Sequence, residues 1–191
     1  MPCEVLRVVE RLGGAQTTVD RVDLATGHAI PFYVLHGNKD NRTVSVVRAD
    51  PRAQASGEAL GTAKYHSISS KIDVVLRGVP FKMKTNTLGS AHSFEHHGRT
   101  YSWSVSNLSL TMSALYFKDA GGNLLARWKK HPDGMMSGSA PTFEVFVPPQ
   151  SIDMDMVIVT GLAAIEYWTE YKKHSYEALA DVFGASMGAE G

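Results

Sequence analysis

Cysteine is nearly absent from this chain: Cys3 is the single one in 191 residues. One thiol cannot close an internal disulfide, so the fold is not stapled and a reducing cytosol is the expected compartment. Net charge is also missing. Nineteen Lys and Arg balance nineteen Asp and Glu, which argues against a dedicated nucleic-acid binder, since that would show a basic excess or stripe. No membrane-length apolar run exists. The one long greasy segment, within Asp153–Trp168, is roughly a dozen residues against the ~20 that cross a bilayer, so no transmembrane anchor is expected. The first residues, MPCEVLRVVERLGG, carry Glu4 and Glu10 and lack the apolar centre of a signal peptide. Catalytic signatures are missing as well: no nucleophile elbow, no P-loop, no dinucleotide glycine motif and no H-E-x-x-H. Gly13-Gly14 and Gly121-Gly122 read as turns rather than phosphate cradles. Nothing calls for a cofactor.

What is there is β-strand grammar followed by one unusual helix. Short runs rich in β-branched and aromatic residues, punctuated by turn residues, predict roughly ten strands in a barrel or sandwich. They include Thr17–Leu24, Pro31–His36, Thr43–Ala49, Leu60–Ser69, Lys71–Arg77, Phe81–Thr85, Ser93–His97, Thr100–Ser106, Leu108–Phe117, Leu124–Lys129 and Thr142–Val147. His97-Gly98-Arg99 and Lys118–Asn123 mark hairpins. Cys3–Leu12 fits either a short helix or a first strand. After Pro148-Pro149 comes DMDMVIVTGLAAIEYW, with Ser151 or Asp153 as its cap and Asp153 and Asp155 where the helix dipole favours negative charge. Met156–Ile165 has no polar face. A helix apolar all round belongs inside protein. Gly161 costs a helix about 1 kcal/mol against Ala, so its presence predicts a wall pressed close to the helix there.

The order of these landmarks resembles a fungal family of unknown function that looks like a divergent branch of the tubby-like group, with tubby C-terminal domains, phospholipid scramblases and LURP-one-related proteins. The residues that carry it are TTVDRVDLATGHAIPFYV, RTVSVVRAD, LGTAKYHS, FEHHGRTYSW with G-R-x-Y-x-W at Gly98–Trp103, ALYFKDAGGNLLARW, and FEVFVPP leading into the helix. The resemblance implies an all-β fold with a central helix: a tubby-like closed antiparallel β-barrel of about a dozen strands around a buried hydrophobic C-terminal helix. The expected layout is one domain over residues 1–191, with the helix at about 153–172 and an extension over 173–191. Tubby domains bind phosphoinositides through basic residues on the barrel surface, but the resemblance carries over no binding residue.

Four constellations are candidates for chemistry. His92 and His96 share a strand face while His97 points away. Two ligands on one strand make at most half a zinc site, so no metal site is expected. As acid/base groups they join His66 and Tyr101 in a candidate catalytic set. Asp153 and Asp155 stand at i and i+2, do not face each other, and read as helix capping. The basic set Lys82, Lys84, Arg127, Lys129 and Lys130, beside Trp128, would form a positive stripe for phosphate headgroups if its two strands are neighbours. The plain alternative is a solvated strand face. The Met-rich loop His131–Gly138 offers adaptable contacts. The leading functional expectation is a non-enzymatic binding module for an anionic phospholipid headgroup or an amphipathic small molecule, cytoplasmic or peripheral at a membrane. The alternatives are a small-molecule enzyme of fungal secondary metabolism, working by proton transfer or cyclisation at barrel-end histidines, and a structural or interaction protein, for example a homodimer.

Overall fold

The computed structural model describes residues 1–11, 16–38, 42–51, 58–66, 71–86, 91–105, 113–130 and 140–169. Twelve strands close into one antiparallel barrel. They are β1 Glu4–Arg11, β2 Gln16–Val22, β3 Ala29–Asn38, β4 Thr43–Arg48, β5 Gly61–Tyr65, β6 Lys71–Leu76, β7 Val79–Thr85, β8 Ala91–His96, β9 Arg99–Val105, β10 Ala114–Asp119, β11 Leu124–Lys129 and β12 Thr142–Val145. Each strand pairs with its sequence neighbours, and β1 closes the ring on β12 through Glu4 opposite Val145. Closure leaves no unpaired strand edge, the arrangement by which β proteins escape edge-to-edge association. The ambiguous first segment is therefore a strand. It is required to seal the ring.

Alternation sorts the side chains. On β6, Ile72, Val74 and Leu76 are buried in the barrel while Lys71 and Val75 face out, as a period of two demands. The lumen is occupied by helix α1, residues 154–169, which begins after a short 3-10 turn at Pro149–Ser151. Met156, Val157, Ile158, Val159, Leu162, Ala163 and Ala164 are all buried. Each larger side chain contributes roughly 1.5–3 kcal/mol by leaving water. The helix has no polar face because the strands surround it. A Cβ added to Gly161 would stand 2.6 Å from Phe143 Cε1 and 2.9 Å from Trp103 Cζ2, so the close wall expected from that glycine is present. Thr160, the one polar residue on the buried stretch, accepts from Trp103 Nε1 at 2.9 Å and donates to the Met156 carbonyl at 2.6 Å. That satisfies the polar atoms a buried helix would otherwise strand.

The barrel has two distinct ends. The N-terminus of α1 enters at the end carrying the Arg77-Gly78 and His97-Gly98 turns, the Lys118–Asn123 hairpin and the β2–β3 turn around Gly27. Arg77 and His97 have φ of 48° and 50° and are followed by Gly78 and Gly98 at 78° and 70°, the paired positive angles of tight two-residue hairpins. At the other end all six strand connections run through residues outside the described set, as do Gly13-Gly14, the loop His131–Gly138 and everything from residue 170 onward.

Candidate functional site

The densest polar cluster lies where α1 enters. Asp153 caps the helix, accepting from the backbone N–H of Asp155 at 3.1 Å and of Met156 at 3.3 Å. Asp155 is 2% exposed. Arg48, at the end of β4, donates from Nη2 to Oδ1 at 2.6 Å and Oδ2 at 2.8 Å, and the Tyr33 hydroxyl donates to Oδ1 at 2.8 Å. Arg77 spans both acids: its Nη1 and Nη2 reach Asp153 at 3.0 and 2.9 Å, and its Nε and Nη2 reach Asp155 Oδ2. Burial alone would push the Asp155 carboxyl up. Hydrogen bonds from Arg77, Tyr33 and Arg48 outweigh it and hold the group below the ordinary carboxylate range. Tyr33, buried beside that carboxylate, is pushed well up. Two acids and two arginines cancel, and the buried Asp155 carboxylate is taken up by Tyr33, Arg48 and Arg77. The arrangement anchors the helix; it does not expose a reactive group.

Capping describes one part of Asp153, which also binds Arg77, and less of Asp155, whose carboxylate is held by Tyr33, Arg48 and Arg77. Tyr33, Arg48 and Arg77 were absent from the sequence candidates. Arg77 had a signal, Arg-Gly between two strand patterns, which the reading of Lys71–Arg77 as unbroken strand concealed. Arg48 and Tyr33 had none, since their role depends on a helix more than a hundred residues away.

The histidines do not gather into one site. His92 and His96 both point into the barrel, as their shared parity requires, but four residues of strand keep them about 13 Å apart along β8. His92 lies near the helix's far end, its ring 4.4 Å from Tyr167 and 5.5 Å from Trp168 between centroids. Its Nε2 is 3.0 Å from Thr85 Oγ1, and its Nδ1 is buried with no hydrogen-bond partner among the described residues. Burial lowers its pKa to about 4, so it is neutral near pH 7. His96 is at the opposite end, 3.6 Å from Asp153 Oδ2 and packed on His97 and Phe81. Burial, then the neighbouring His97, lowers its pKa. His66 stands on the exposed side of β5–β6 against Asp73 at 2.6 Å. Tyr101 stacks in the core on Phe117 and Phe94. A barrel end lined by His66, His92, His96 and Tyr101 together is thus not what the fold builds. Strand parity and length separate them.

The basic set also divides. β7 and β11 are not neighbours; β8, β9 and β10 lie between them. Trp128 is 4% exposed and belongs to the core, on the same inward parity as Ala126. Lys129 is buried, Lys130 is exposed, and Arg127 is bound to Glu144 across β11–β12 at 2.9 Å. Lys82 and Lys84 instead join two lysines the sequence candidates omitted. On β5–β6–β7, Lys64 lies opposite Asp73, Asp73 opposite Lys82, and Lys71 opposite Lys84. All four lysines are exposed. The single acid among them, Asp73, is held by His66 and by Lys82 at 3.6 Å, and the His66 hydrogen bond followed by the Lys82 charge lowers its pKa. Neighbouring strands stand about 4.8 Å apart and same-face residues about 6.7 Å apart, so the four ammonium groups spring from one small patch of wall. Glu95 is the nearest exposed acid on the next strand, β8.

Among the described residues no helix is long and apolar enough to cross a membrane, and no three His, Cys, Asp or Glu side chains converge as a metal set. No curated protein matches the chain. A protein from Arabidopsis thaliana, solved by X-ray methods, is similar over 83% of this chain and 90% of its own, at 11% identity and a TM-score of 0.47. Residues 16–166, from the start of β2 to the last turns of α1, match the Family of unknown function (DUF6593), and the chain belongs to that family.

Proposed function

We propose that this protein is a non-enzymatic binding module that takes an anionic, phosphate-bearing headgroup on the lysine face of β5–β7. The observation that carries the reading is the placement of Lys64, Lys71, Lys82 and Lys84 in two adjacent rows on three consecutive strands, in a chain whose overall charge is zero. The inside of the barrel supports the same choice, because α1 fills its described length and leaves the outer wall as the surface on offer. The resemblance to the tubby-like group is in keeping with this, since tubby domains bind phosphoinositides on the barrel surface, although no binding residue carries over. In this reading the protein works at the cytosolic face of a membrane.

The test is co-sedimentation with phosphatidylcholine vesicles, with and without phosphatidylserine. Binding is expected with the anionic lipid only, falling as salt is raised. Each lysine near the surface contributes about 1 kcal/mol, so the Lys64→Glu/Lys82→Glu/Lys84→Glu variant should lose binding by more than a hundredfold, corresponding to about 3 kcal/mol. Binding that ignores lipid charge, or survives the triple reversal, refutes the proposal.

A further inference from the structure

The exposed large hydrophobics among the described residues are Met1, Leu24 at 55%, Ile30 at 51%, Val75 at 39% and Val79 at 50%. All five lie at the same end of the barrel, the mouth where α1 enters. Met1 precedes the start of β1, Leu24 and Ile30 flank the β2–β3 turn, and Val75 and Val79 flank the Arg77-Gly78 turn. The β6–β7 hairpin carries the sharpest gradient. From the turn along its outer face, the cross-strand pairs run Val75 with Pro80, then Asp73 with Lys82, then Lys71 with Lys84. An apolar tip stands about one residue pair, about 7 Å, from the first lysine and about 14 Å from the last pair.

Arg77, half-exposed at the tip, reaches toward the mouth, where Asp153 and Asp155 pair its charge. Pro80 shares the outer face with Val75, while Val79 pairs with Leu76 on the inward parity and is exposed at the rim. The turn's backbone is also accounted for, with Leu76 paired to Val79 and the Arg77 N–H donating to the Leu60 carbonyl at 2.8 Å. A hairpin with an exposed apolar end and lysines one and two rows behind it matches the layering of a membrane interface. Acyl chains lie deepest, with anionic headgroups a few ångströms above them, within reach of a lysine stem.

We infer that the partner is an anionic lipid bilayer, entered mouth first: the β6–β7 tip, with Val75, Val79 and Pro80, dips into the acyl boundary while Lys82, Lys84 and Lys64 engage headgroups. This rests on the headgroup reading of the lysine face and adds to it an orientation, a depth and a choice of membrane over soluble phosphate.

The experiment uses the full chain in a Cys3→Ser background, with a polarity-sensitive fluorophore on Val79→Cys or, as a far-end control, on His36→Cys, which is exposed on β3. With phosphatidylserine-containing vesicles, the label at position 79 is expected to shift to the blue and to be quenched by brominated lipid, while the label at 36 stays in water. A Val75→Asp/Val79→Asp variant is expected to lose vesicle binding by about tenfold, with its unfolding midpoint near that of the parent because both positions are exposed. If that variant binds as the parent does and the label at 79 stays in water while the lysine reversal abolishes binding, tip insertion is overturned and the headgroup reading survives. If the label enters lipid regardless of lipid charge, the headgroup reading fails and insertion stands. If inorganic pyrophosphate binds and vesicles do not, the membrane assignment is overturned.

Discussion

His92 sits under the last turns of α1 with no exposed surface, and burial holds its imidazole at about 4 against an ordinary 6.5. The folded state therefore resists a proton that the unfolded chain accepts. The stability this represents is fully present above pH 6.5 and is lost as the pH falls toward 4. His96 acts with the same sign, because its pKa is also lowered. Asp155 adds a further loss only below the ordinary carboxylate range. Between pH 7.5 and 4.5 the His92 share is roughly 2–3 kcal/mol, since each pH unit separating the folded from the unfolded value counts about 1.36 kcal/mol. Denaturant unfolding at the two pH values should show the His92→Phe variant losing less stability on acidification than the parent, by about that amount. An equal loss in both would mean that His92 is hydrated in the native barrel. Tyr33, Arg48 and Arg77 teach a different lesson at this scale. Each looks ordinary in its own segment, and only the incoming Asp155 carboxylate gives the three a common task.

Helix α1 and the strands facing it are fitted to each other at two glycines. Gly161 lets the helix approach Phe143 and Trp103. Gly61 on β5 leaves room for Val159, whose Cγ2 would lie 2.7 Å from an added Cβ. At an exposed helix position, Gly→Ala stabilises by about 1 kcal/mol. Here the sign should reverse. Aromatic rings on two strands cannot retreat without moving the barrel wall, and overpacking of this kind costs about 1–3 kcal/mol. Gly161→Ala should lower the thermal midpoint by several degrees, roughly 2–8 °C, as read by calorimetry. A raised midpoint would show that the wall gives way. The same close fit explains why so little of α1 is polar: any side chain there must either pack on a strand or, like Thr160, find a partner within the barrel.

The whole molecule is a ring closed by its first and last strands on a helix that arrives after both. The buried stretch 156–164 can meet water only when the ring opens. Its amides should therefore exchange hydrogen only through global unfolding, as slowly as the most protected strands, at the full unfolding free energy of about 5–15 kcal/mol. Exchange of that stretch at a clearly smaller free energy would mean that α1 leaves the barrel without the ring breaking. Much of this architecture was legible in the chain. Period-two runs and turn residues marked eleven of the twelve strands, Leu124–Lys129 to the residue, because alternation and turn chemistry act over a few positions. The unbroken greasy run declared a helix with protein on every side, and Gly161 declared the close wall. What stayed hidden was adjacency around the ring. The sequence pattern groups Lys82 with Arg127 and Lys129, although three strands divide them; on the ring Lys82 stands opposite Asp73, with Lys64 one strand further on. Trp128 was read as an outer-face residue and lies in the core. Local patterns say which residues alternate; they do not say which side of a strand is the inside, nor which strands stand next to one another. Those choices are made when the ring closes on its helix, because only then does burial distinguish the two faces of every strand at once.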